Sequence, residues 1–210
     1  MLARLFLRCY AATYDLFIGP AERAGLRQQR HDLLAEATGA TVEIGAGTGL
    51  NLPHYPAPVT RLTAVEPDPH MARRLRRRAA RSGREVEIIS ATAGQLPLPD
   101  ASFDTAVVTF ALCSVPDEQA ALGEITRVLA PGGRLLFLEH VRSADPGIAA
   151  KQDRMPFPYP LIGCHPNRDT LREIEASPLA EESVRRGELP KAPKIERPMI
   201  VGTARRPGPA

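Results

Sequence analysis

The chain has 210 residues, a length that suits one domain built around a single sizeable core. Hydrophobic residues make up 43%, charged residues make up 24% and the formal net charge is +3, the ordinary balance of a globular protein. No run of eighteen apolar residues occurs, and the first segment has no small-residue cleavage site, so neither a transmembrane segment nor a signal peptide is expected.

The cysteines are Cys9, Cys113 and Cys164, and no two of them have CxxC spacing. An odd number without metal-binding spacing argues against a disulfide scaffold or a zinc site. We therefore expect no metal and a cytoplasmic location.

Helical and extended patterns alternate along the chain. Apolar residues recur at helical spacing from residue 2 to 17, and a second helix is predicted over residues 21–37. Strands are predicted at 41–44, 61–66, 85–90, 103–110 and 134–139, with helices at 69–81 and 118–129. Residues 141–167 are rich in Pro and Gly and are expected to be irregular. A helix at 168–176 and a hairpin of two strands, 179–186 and 198–204, are predicted to follow.

This alternation predicts an α/β fold with parallel βαβ units. The expected architecture is a Rossmann-like, doubly wound, mostly parallel seven-stranded sheet with an N-terminal helical cap. We assign the cap to residues 1–38, the main domain to residues 39–205 and a disordered tail to residues 206–210.

A glycine-rich turn, Gly45-Ala46-Gly47-Thr48-Gly49, directly follows the first strand. Without a Cβ, such a turn lets backbone N–H groups approach a ligand closely. Glu43 lies inside the apolar strand before the turn, and a buried carboxylate needs a partner, such as a ligand ammonium or the N–H groups of the loop. Glu66 follows Gly45 by 21 residues, at the end of the second strand, where an acidic side chain can accept hydrogen bonds from ribose hydroxyls.

The residues after the turn bear on the kind of ligand. Leu50 stands where the third glycine of GxGxxG would be, and Pro53 and Pro56 forbid a long helix directly after the loop. A dinucleotide needs that helix N-terminus for its pyrophosphate, so a ligand without phosphate is favoured over a nicotinamide dinucleotide. A glycine turn that only connects a strand to the next element is the structural alternative.

On these motifs, the chain resembles the class I S-adenosylmethionine-dependent methyltransferases. The resemblance rests on the stretches 42–49, 65–71, 96–100, 102–104 and 127–134. Shorter stretches, 51–52, 112–115, 139–141, 163–165 and 167–170, resemble the branch that contains the membrane-associated alkyl-thiol methyltransferases. Those proteins carry an additional N-terminal membrane anchor, which we do not expect here.

The resemblance implies S-adenosylmethionine as the cofactor. The implied cofactor-binding residues are Glu43, Gly45, Ala46, Gly47, Thr48, Gly49, Asn51, Glu66, Pro67, Met71, Thr92, Ala93, Phe110, Ala111 and Leu112. Glu43 and the glycine loop would hold the methionine part, Glu66 the ribose and Met71 the adenine surface. Phe110 and the two residues after it would face the transferable methyl. Thr92 follows strand three, where family members often carry an acidic residue that contacts the adenine amine, so a hydroxyl or backbone contact must substitute.

The implied reaction is methyl transfer to a small-molecule acceptor, with a thiol as the preferred nucleophile. O-, N- or C-methylation of a quinone or natural product is one alternative, and a catalytically silent cofactor-binding module is another. A free thiol, with a pKa of about 8.5, is only partly ionised at neutral pH, so a nearby base would help.

His140 and His165 are the candidate catalytic bases. His140 follows strand five at the carboxyl edge of the sheet, where ligands bind in open α/β folds. His165 lies in the turn Gly163-Cys164-His165. Each could instead fix a loop through hydrogen bonds to backbone. Tyr14, on the N-terminal helix, could close over the cofactor or pack in the core.

Seven arginines between Arg73 and Arg84 could suggest a nucleic-acid partner. They occupy successive positions of one predicted helix, and no aromatic residues interleave for base stacking. The pattern favours a solvated helix face, so we do not expect a nucleic-acid partner.

Overall fold

The computed structural model describes residues 2–154 and 163–208, and for residues 2–6 the backbone only. Seven strands form one sheet in the order β3-β2-β1-β4-β5-β7-β6. They are β1 Gly39–Ile44, β2 Val59–Val65, β3 Glu87–Ile89, β4 Phe103–Thr109, β5 Leu129–His140, β6 Ala180–Glu188 and β7 Pro198–Arg205. Strands β1 to β5 pair in parallel, whereas β7 runs antiparallel to both β5 and β6. The predicted seven-stranded, mostly parallel, doubly wound sheet is confirmed.

Helices flank this sheet in the expected alternation. They are α1 Leu2–Ala21, α2 Arg27–Leu34, α3 Pro69–Ser82, α4 Glu118–Val128, α5 Pro146–Gln152 and α6 Thr170–Glu175. Short 3₁₀ turns cover Leu52–His54 and Leu112–Ser114. Because both sheet faces are covered, the central strands are nearly continuous runs of buried apolar residues, as in Ala106, Val107 and Val108 of β4.

The strand order reverses between β1 and β4, which pair along Thr41–Ile44. The connection from β1 leaves towards β2 on one side, and the connection from β4 leaves towards β5 on the other. This divergence opens a crevice at the carboxyl ends of the two strands, where open α/β sheets bind ligands. The glycine loop after β1 and the turn after β4 therefore lie side by side.

The first two helices differ from prediction at their junction. A π-helical turn, Glu22–Leu26, joins α1 to α2, and Gly25 within it has φ of 131°, a conformation that other residues rarely adopt. Helix α2 ends at Leu34, three residues before the predicted end at residue 37.

Strand β5 begins at Leu129, five residues before the predicted start at Arg134. The Pro131-Gly132-Gly133 stretch does not end the pairing, because the register with β4 shifts there and absorbs the extra residues. A Cβ on Gly133 would lie 2.9 Å from the Ala130 carbonyl oxygen, so glycine allows this close approach.

The segment predicted to be irregular, residues 141–167, contains helix α5. The Asp145 carboxylate accepts hydrogen bonds from the backbone N–H groups of Gly147 and Ile148, and Pro146 occupies the first turn. These are helix-start signals that the overall abundance of Pro and Gly concealed. Residues 155–162 of the same prediction lie outside the described part of the chain.

Two further predictions need correction. The tail predicted to be disordered from residue 206 is held at its first residue, because the Arg206 backbone pairs with Gly132 and Gly133 and its guanidinium donates to the carbonyl oxygens of Arg127 and Leu129. Residues 209–210 lie outside the described chain.

The arginine-rich segment, which comprises α3 and the two residues after it, is not wholly solvated. Arg84 donates to the carbonyl oxygens of Tyr55, Pro56 and Val59, and Arg78 contacts the glycine loop.

Among the described residues, no helix is both long and apolar enough to cross a membrane.

Candidate active site

A cavity of about 310 Å³ opens at the carboxyl ends of β1, β2 and β4. Its walls come from the glycine loop, the residues after β2 and β4, and helix α1, which covers it. Thirteen of the fifteen predicted cofactor residues line it, namely Glu43, Gly45, Ala46, Gly47, Thr48, Asn51, Glu66, Pro67, Met71, Thr92, Ala93, Phe110 and Ala111. The sequence prediction thus located this cavity.

The other two predicted residues lie behind its walls. Gly49 packs against the core, where an added Cβ would lie 2.8 Å from Leu75 Cδ1. Leu112 is fully buried in the hydrophobic core. Both therefore support the walls and do not reach the cavity in this structure.

Glycine is required at the first position of the loop. Gly45 has φ of 71°, and a Cβ there would lie 2.6 Å from the Cβ of Ala111. Gly47 also has a positive φ, 56°, but a Cβ there would meet nothing within 4 Å. The loop is packed against the post-β4 turn at Gly45 and open to the cavity at Gly47.

Glu66 lies at the end of β2 and is buried. Its Oε2 accepts a 2.7 Å hydrogen bond from the Gly47 N–H, and its Oε1 accepts a 2.8 Å hydrogen bond from the Asp68 N–H. Burial raises the pKa of this carboxyl, although both backbone donors lower it. Glu66 therefore fixes the glycine loop as well as lining the cavity.

Glu43 is the centre of a buried polar network below the cavity. Its oxygens accept hydrogen bonds from Asn51 Nδ2 at 2.9 Å and from the Tyr55 hydroxyl at 2.8 Å. The partner that the sequence required is therefore this pair of side chains, not the N–H groups of the loop. Burial raises the Glu43 pKa to about 7, against the effect of both donors and of Arg30.

Arg30 of α2 belongs to the same network and was missed by the sequence analysis. It is buried and lines the cavity. Its Nε donates to Glu22 at 2.9 Å, and one terminal nitrogen donates to Asn51 Oδ1 and Thr109 Oγ1, each at 3.0 Å. A signal was present, because Arg30 lies at helical spacing from the buried Leu26 and Leu34 and so falls on the apolar face of its helix.

Helix α1 is fastened over the cavity by Asp15. Its carboxylate accepts a 2.6 Å hydrogen bond from the Thr48 hydroxyl of the glycine loop and a 2.7 Å hydrogen bond from Arg78 of α3. Arg78 also donates to the Thr48 carbonyl oxygen at 2.7 Å. Tyr10 and Tyr14 of α1 line the cavity, their rings edge to face at 5.7 Å. We call Asp15, Thr48 and Arg78 the cap clamp.

The turn after β4 is organised by a single buried carboxylate. Glu139 accepts hydrogen bonds from the N–H groups of Ala111 at 2.8 Å, Leu112 at 3.0 Å and Cys113 at 3.2 Å. Just before them, Phe110 adopts φ of 55°, a left-handed conformation unusual for a bulky residue. The Glu139 contacts hold the backbone that carries Phe110 in this strained geometry.

Neither candidate base lines the cavity. His140 lies beside Phe110, with ring centroids 4.6 Å apart, and its Nδ1 is 3.9 Å from Sγ of both Cys113 and Cys164. His165 is exposed, and its backbone N–H donates to the Cys113 carbonyl oxygen at 2.8 Å. Burial, and then Arg168, lower the pKa of His165. A direct base role for either histidine would require the acceptor to reach beyond the described cavity.

Several lining residues were not among the predicted site residues. They are Leu7, Tyr10, Arg30, Ile44, Leu50, Asp68, Ala91, Thr109, Ser114, Val115 and Pro116. Leu7 and Tyr10 lie on α1, and Ser114, Val115 and Pro116 lie on the turn after β4. The sequence offered no site prediction for α1 beyond Tyr14, and for the turn after β4 the resemblance at residues 112–115 did not indicate which side chains line the cavity.

Comparison with known proteins identifies the family of this site. A methyltransferase domain model matches residues 42–137. Thiol S-methyltransferase TMT1B of Rattus norvegicus is 33% identical over 168 residues, which are 77% of this chain and 68% of that protein. Demethylmenaquinone methyltransferase of Thermus thermophilus is 39% identical over 122 residues, 55% of each chain.

A solved structure agrees with this match at the level of the fold. Geranyl diphosphate C-methyltransferase from Streptomyces coelicolor, in complex with S-adenosyl-L-homocysteine, superposes with a TM-score of 0.64 at 17% identity, over 83% of this chain and 73% of that one. Because the fold, the glycine loop with its acidic partners and these matches agree, the chain belongs to the class I S-adenosylmethionine-dependent methyltransferases, is similar to their thiol S-methyltransferase branch, and uses S-adenosylmethionine as its cofactor.

Proposed function

We propose that this methyltransferase passes the methyl group of S-adenosylmethionine to the sulfur of a small-molecule thiol. The observation that carries the proposal is the extent of the matches. The similarity to human thiol S-methyltransferase TMT1B covers 88% of this chain at 29% identity, against 81% at 28% identity for a phosphatidylethanolamine N-methyltransferase of Cereibacter sphaeroides and 55% for the menaquinone relative, and the domain model ends at residue 137. The thiol relative is therefore matched beyond the segment that builds the cofactor half of the cavity.

The cavity residues fit the cofactor. We propose that the Glu66 carboxylate accepts from the ribose hydroxyls, since each oxygen has a lone pair left beyond its backbone donor. Glu43 and Arg30, of opposite charge on the same wall, suit the ammonium and carboxylate of the methionine part. Met71 offers a soft apolar surface to the adenine.

The bound cofactor supplies an electrophilic methyl on a sulfonium, so the protein needs mainly to position the acceptor and exclude water. Alignment of this kind contributes about 7–11 kcal/mol in favourable intramolecular models. Helix α1, held by the cap clamp, shields the cavity, and Phe110 and Ser114 lie at the end where the acceptor would enter. His140 and His165 remain predictions as bases, and the structure brings neither to the cavity wall.

An acceptor screen tests the proposal. The full chain with S-adenosylmethionine is offered small alkyl thiols, phenols, quinones and amines, and the release of S-adenosylhomocysteine and the methylated product are measured by mass spectrometry. We expect turnover with at least one thiol. Methylation of only a phenol, quinone or amine would refute the thiol assignment. Cofactor binding without any release of S-adenosylhomocysteine would instead support a silent binding module.

The cytoplasmic location expected from the cysteine content also remains a prediction. Its test is fractionation of cells that express the chain.

A further inference from the structure

Three metal-ligating side chains that are distant in sequence meet beside the candidate active site. Cys113 Sγ, His140 Nδ1 and Cys164 Sγ all lie within 4.8 Å of one another, and each sulfur is 3.9 Å from the imidazole nitrogen. Cys113 is buried, and the other two side chains are half-buried. We call these residues the Cys-His-Cys cluster.

The spacing of these atoms suits a shared metal ion. Zinc binds thiolate sulfur at about 2.3 Å and imidazole nitrogen at about 2.0–2.1 Å, which places sulfur and nitrogen about 3.6–3.8 Å apart for tetrahedral to trigonal angles. The observed sulfur to nitrogen separations of 3.9 Å exceed this range only slightly. Small side-chain rotations are therefore enough to form the bonds.

The fold holds the cluster in place. Cys113 follows β4, His140 ends β5, and Cys164 lies in the loop that leads to α6. That loop is fastened to the post-β4 turn, because Arg168 donates to the carbonyl oxygens of Leu112 at 2.9 Å and Val115 at 2.6 Å. A site preorganised in this way loses little conformational freedom when an ion binds.

The chemistry of the donors selects the ion. Two thiols and one imidazole form a soft donor set that suits zinc or copper(I). With both cysteines ionised, a divalent ion makes the site neutral, whereas copper(I) would leave a net negative charge near the buried Glu139 and the half-buried Glu196, both electrostatically coupled to His140. Burying a net charge is costly, so the charge balance favours the divalent ion.

Without an ion, the side chains of the Cys-His-Cys cluster gain little interaction energy from one another. Thiols are weak hydrogen-bond donors, so the 3.9 Å contacts offset little of the cost of burying the imidazole. A bond from Nδ1 to a metal would supply the interaction energy that the 3.9 Å thiol contacts lack.

We propose that Cys113, His140 and Cys164 bind one Zn²⁺ ion, with a fourth coordination position left for water or an exogenous ligand. Binding forms two zinc–sulfur bonds and one zinc–nitrogen bond, and the two thiol protons pass to the buffer. Three protein ligands with one open position are typical of reactive rather than purely structural zinc sites. The proposal does not depend on the identity of the methyl acceptor.

The test is zinc binding by the full chain, purified free of metal and kept reduced with a phosphine. Zn²⁺ is titrated in competition with a chromogenic chelator, and Co²⁺ is added separately to record thiolate-to-cobalt charge transfer. We expect one equivalent of Zn²⁺ and a cobalt spectrum typical of sulfur ligation. Cys164→Ser and His140→Gln should each weaken Zn²⁺ binding by at least about tenfold. The matched control is Cys9→Ser, which removes the exposed cysteine of α1 and should bind like the wild type.

Circular dichroism and cofactor binding establish that each variant is folded before its zinc affinity is compared. The proposal is overturned if the reduced wild type takes up less than a stoichiometric amount of Zn²⁺. It is equally overturned if folded Cys164→Ser and His140→Gln bind as tightly as Cys9→Ser. Because no step uses a methyl acceptor, these outcomes are independent of the acceptor screen.

Discussion

Removal of the Glu139 carboxylate should destabilise the protein more than most single substitutions. In Glu139→Ala, the N–H groups of Ala111, Leu112 and Cys113 lose their acceptor inside the core. Each orphaned buried donor costs about 1–3 kcal/mol, so three cost at least about 3 kcal/mol, against a total stability of about 5–15 kcal/mol for a typical domain.

A graded pair of variants makes this prediction sharper. Glu139→Gln keeps one carbonyl oxygen, which can still accept from the two N–H groups that share Oε1, but it turns an NH₂ towards the Cys113 N–H. Its cost should be about 1–3 kcal/mol, between wild type and Glu139→Ala. The exposed Glu175 at the end of α6 is the matched control, and Glu175→Ala should stay within about 0.5 kcal/mol of wild type.

The assay is urea unfolding followed by far-ultraviolet circular dichroism, with cofactor affinity measured on the same samples. Loss of the Glu139 contacts should also weaken cofactor binding, because Phe110 and Ala111 line the cavity. A Glu139→Ala protein whose free energy of unfolding lies within 1 kcal/mol of wild type would refute the reasoning. If Glu139→Gln and Glu139→Ala lower the free energy of unfolding equally, the stabilisation comes from the carboxylate charge and not from the number of hydrogen-bond acceptors.

Substitutions at three further positions test the cavity walls. Burial raises the Glu43 pKa from 4.5 to about 7, so the folded state keeps a proton that the unfolded chain releases, and stability should fall as pH rises through this window. The free energy of unfolding is measured in urea for wild type and Glu43→Gln at pH 5 and pH 8. From pH 5 to pH 8, wild type should lose up to about 3 kcal/mol more than the variant loses. A difference between the two proteins that does not change with pH would contradict the assignment. Glu66→Ala should weaken S-adenosylmethionine binding at least about tenfold by calorimetry and also lower the melting temperature, since two backbone N–H groups lose their acceptor. Glu66→Gln keeps an acceptor for only one of the two N–H groups and should lower the melting temperature less than Glu66→Ala, and unchanged affinity in both variants would remove Glu66 from the cofactor site. Asp15→Ala should open the cap clamp and speed amide hydrogen exchange in α1, whereas the exposed Asp32→Ala should not, and identical exchange in both would leave the clamp without a role.

Much of the fold followed from local patterns. Alternating helices and strands specified the doubly wound sheet, and the glycine loop with Glu43 and Glu66 located the cavity. The start of β5 was placed too late, because Pro131 and the two glycines after it are normally breakers, and only pairing with β4 keeps them in the strand. Local rules cannot include that tertiary effect.

The acceptor side of the cavity was largely invisible in the sequence. Tyr10, Ser114 and Val115 reach it through the packing of α1 and the post-β4 turn, and the resemblance at residues 112–115 did not indicate which side chains face the cavity. Arg30 was recoverable, since a charged residue on an apolar helix face signals a buried partner. The Cys-His-Cys cluster was not recoverable from spacing rules, because its members come from three separated elements.

The cap clamp has a consequence for the order of events during synthesis. The ribosome makes Asp15 before either of its partners, and Arg78 emerges 63 residues later. At about 5–20 residues per second, α1 therefore spends some seconds without its docking site. Thr48 and Arg78 reach their final positions only when β1, β2 and α3 have assembled. The helix that covers the cavity is thus made early and secured late, and all three clamp residues are made before β4, the strand that completes the crevice.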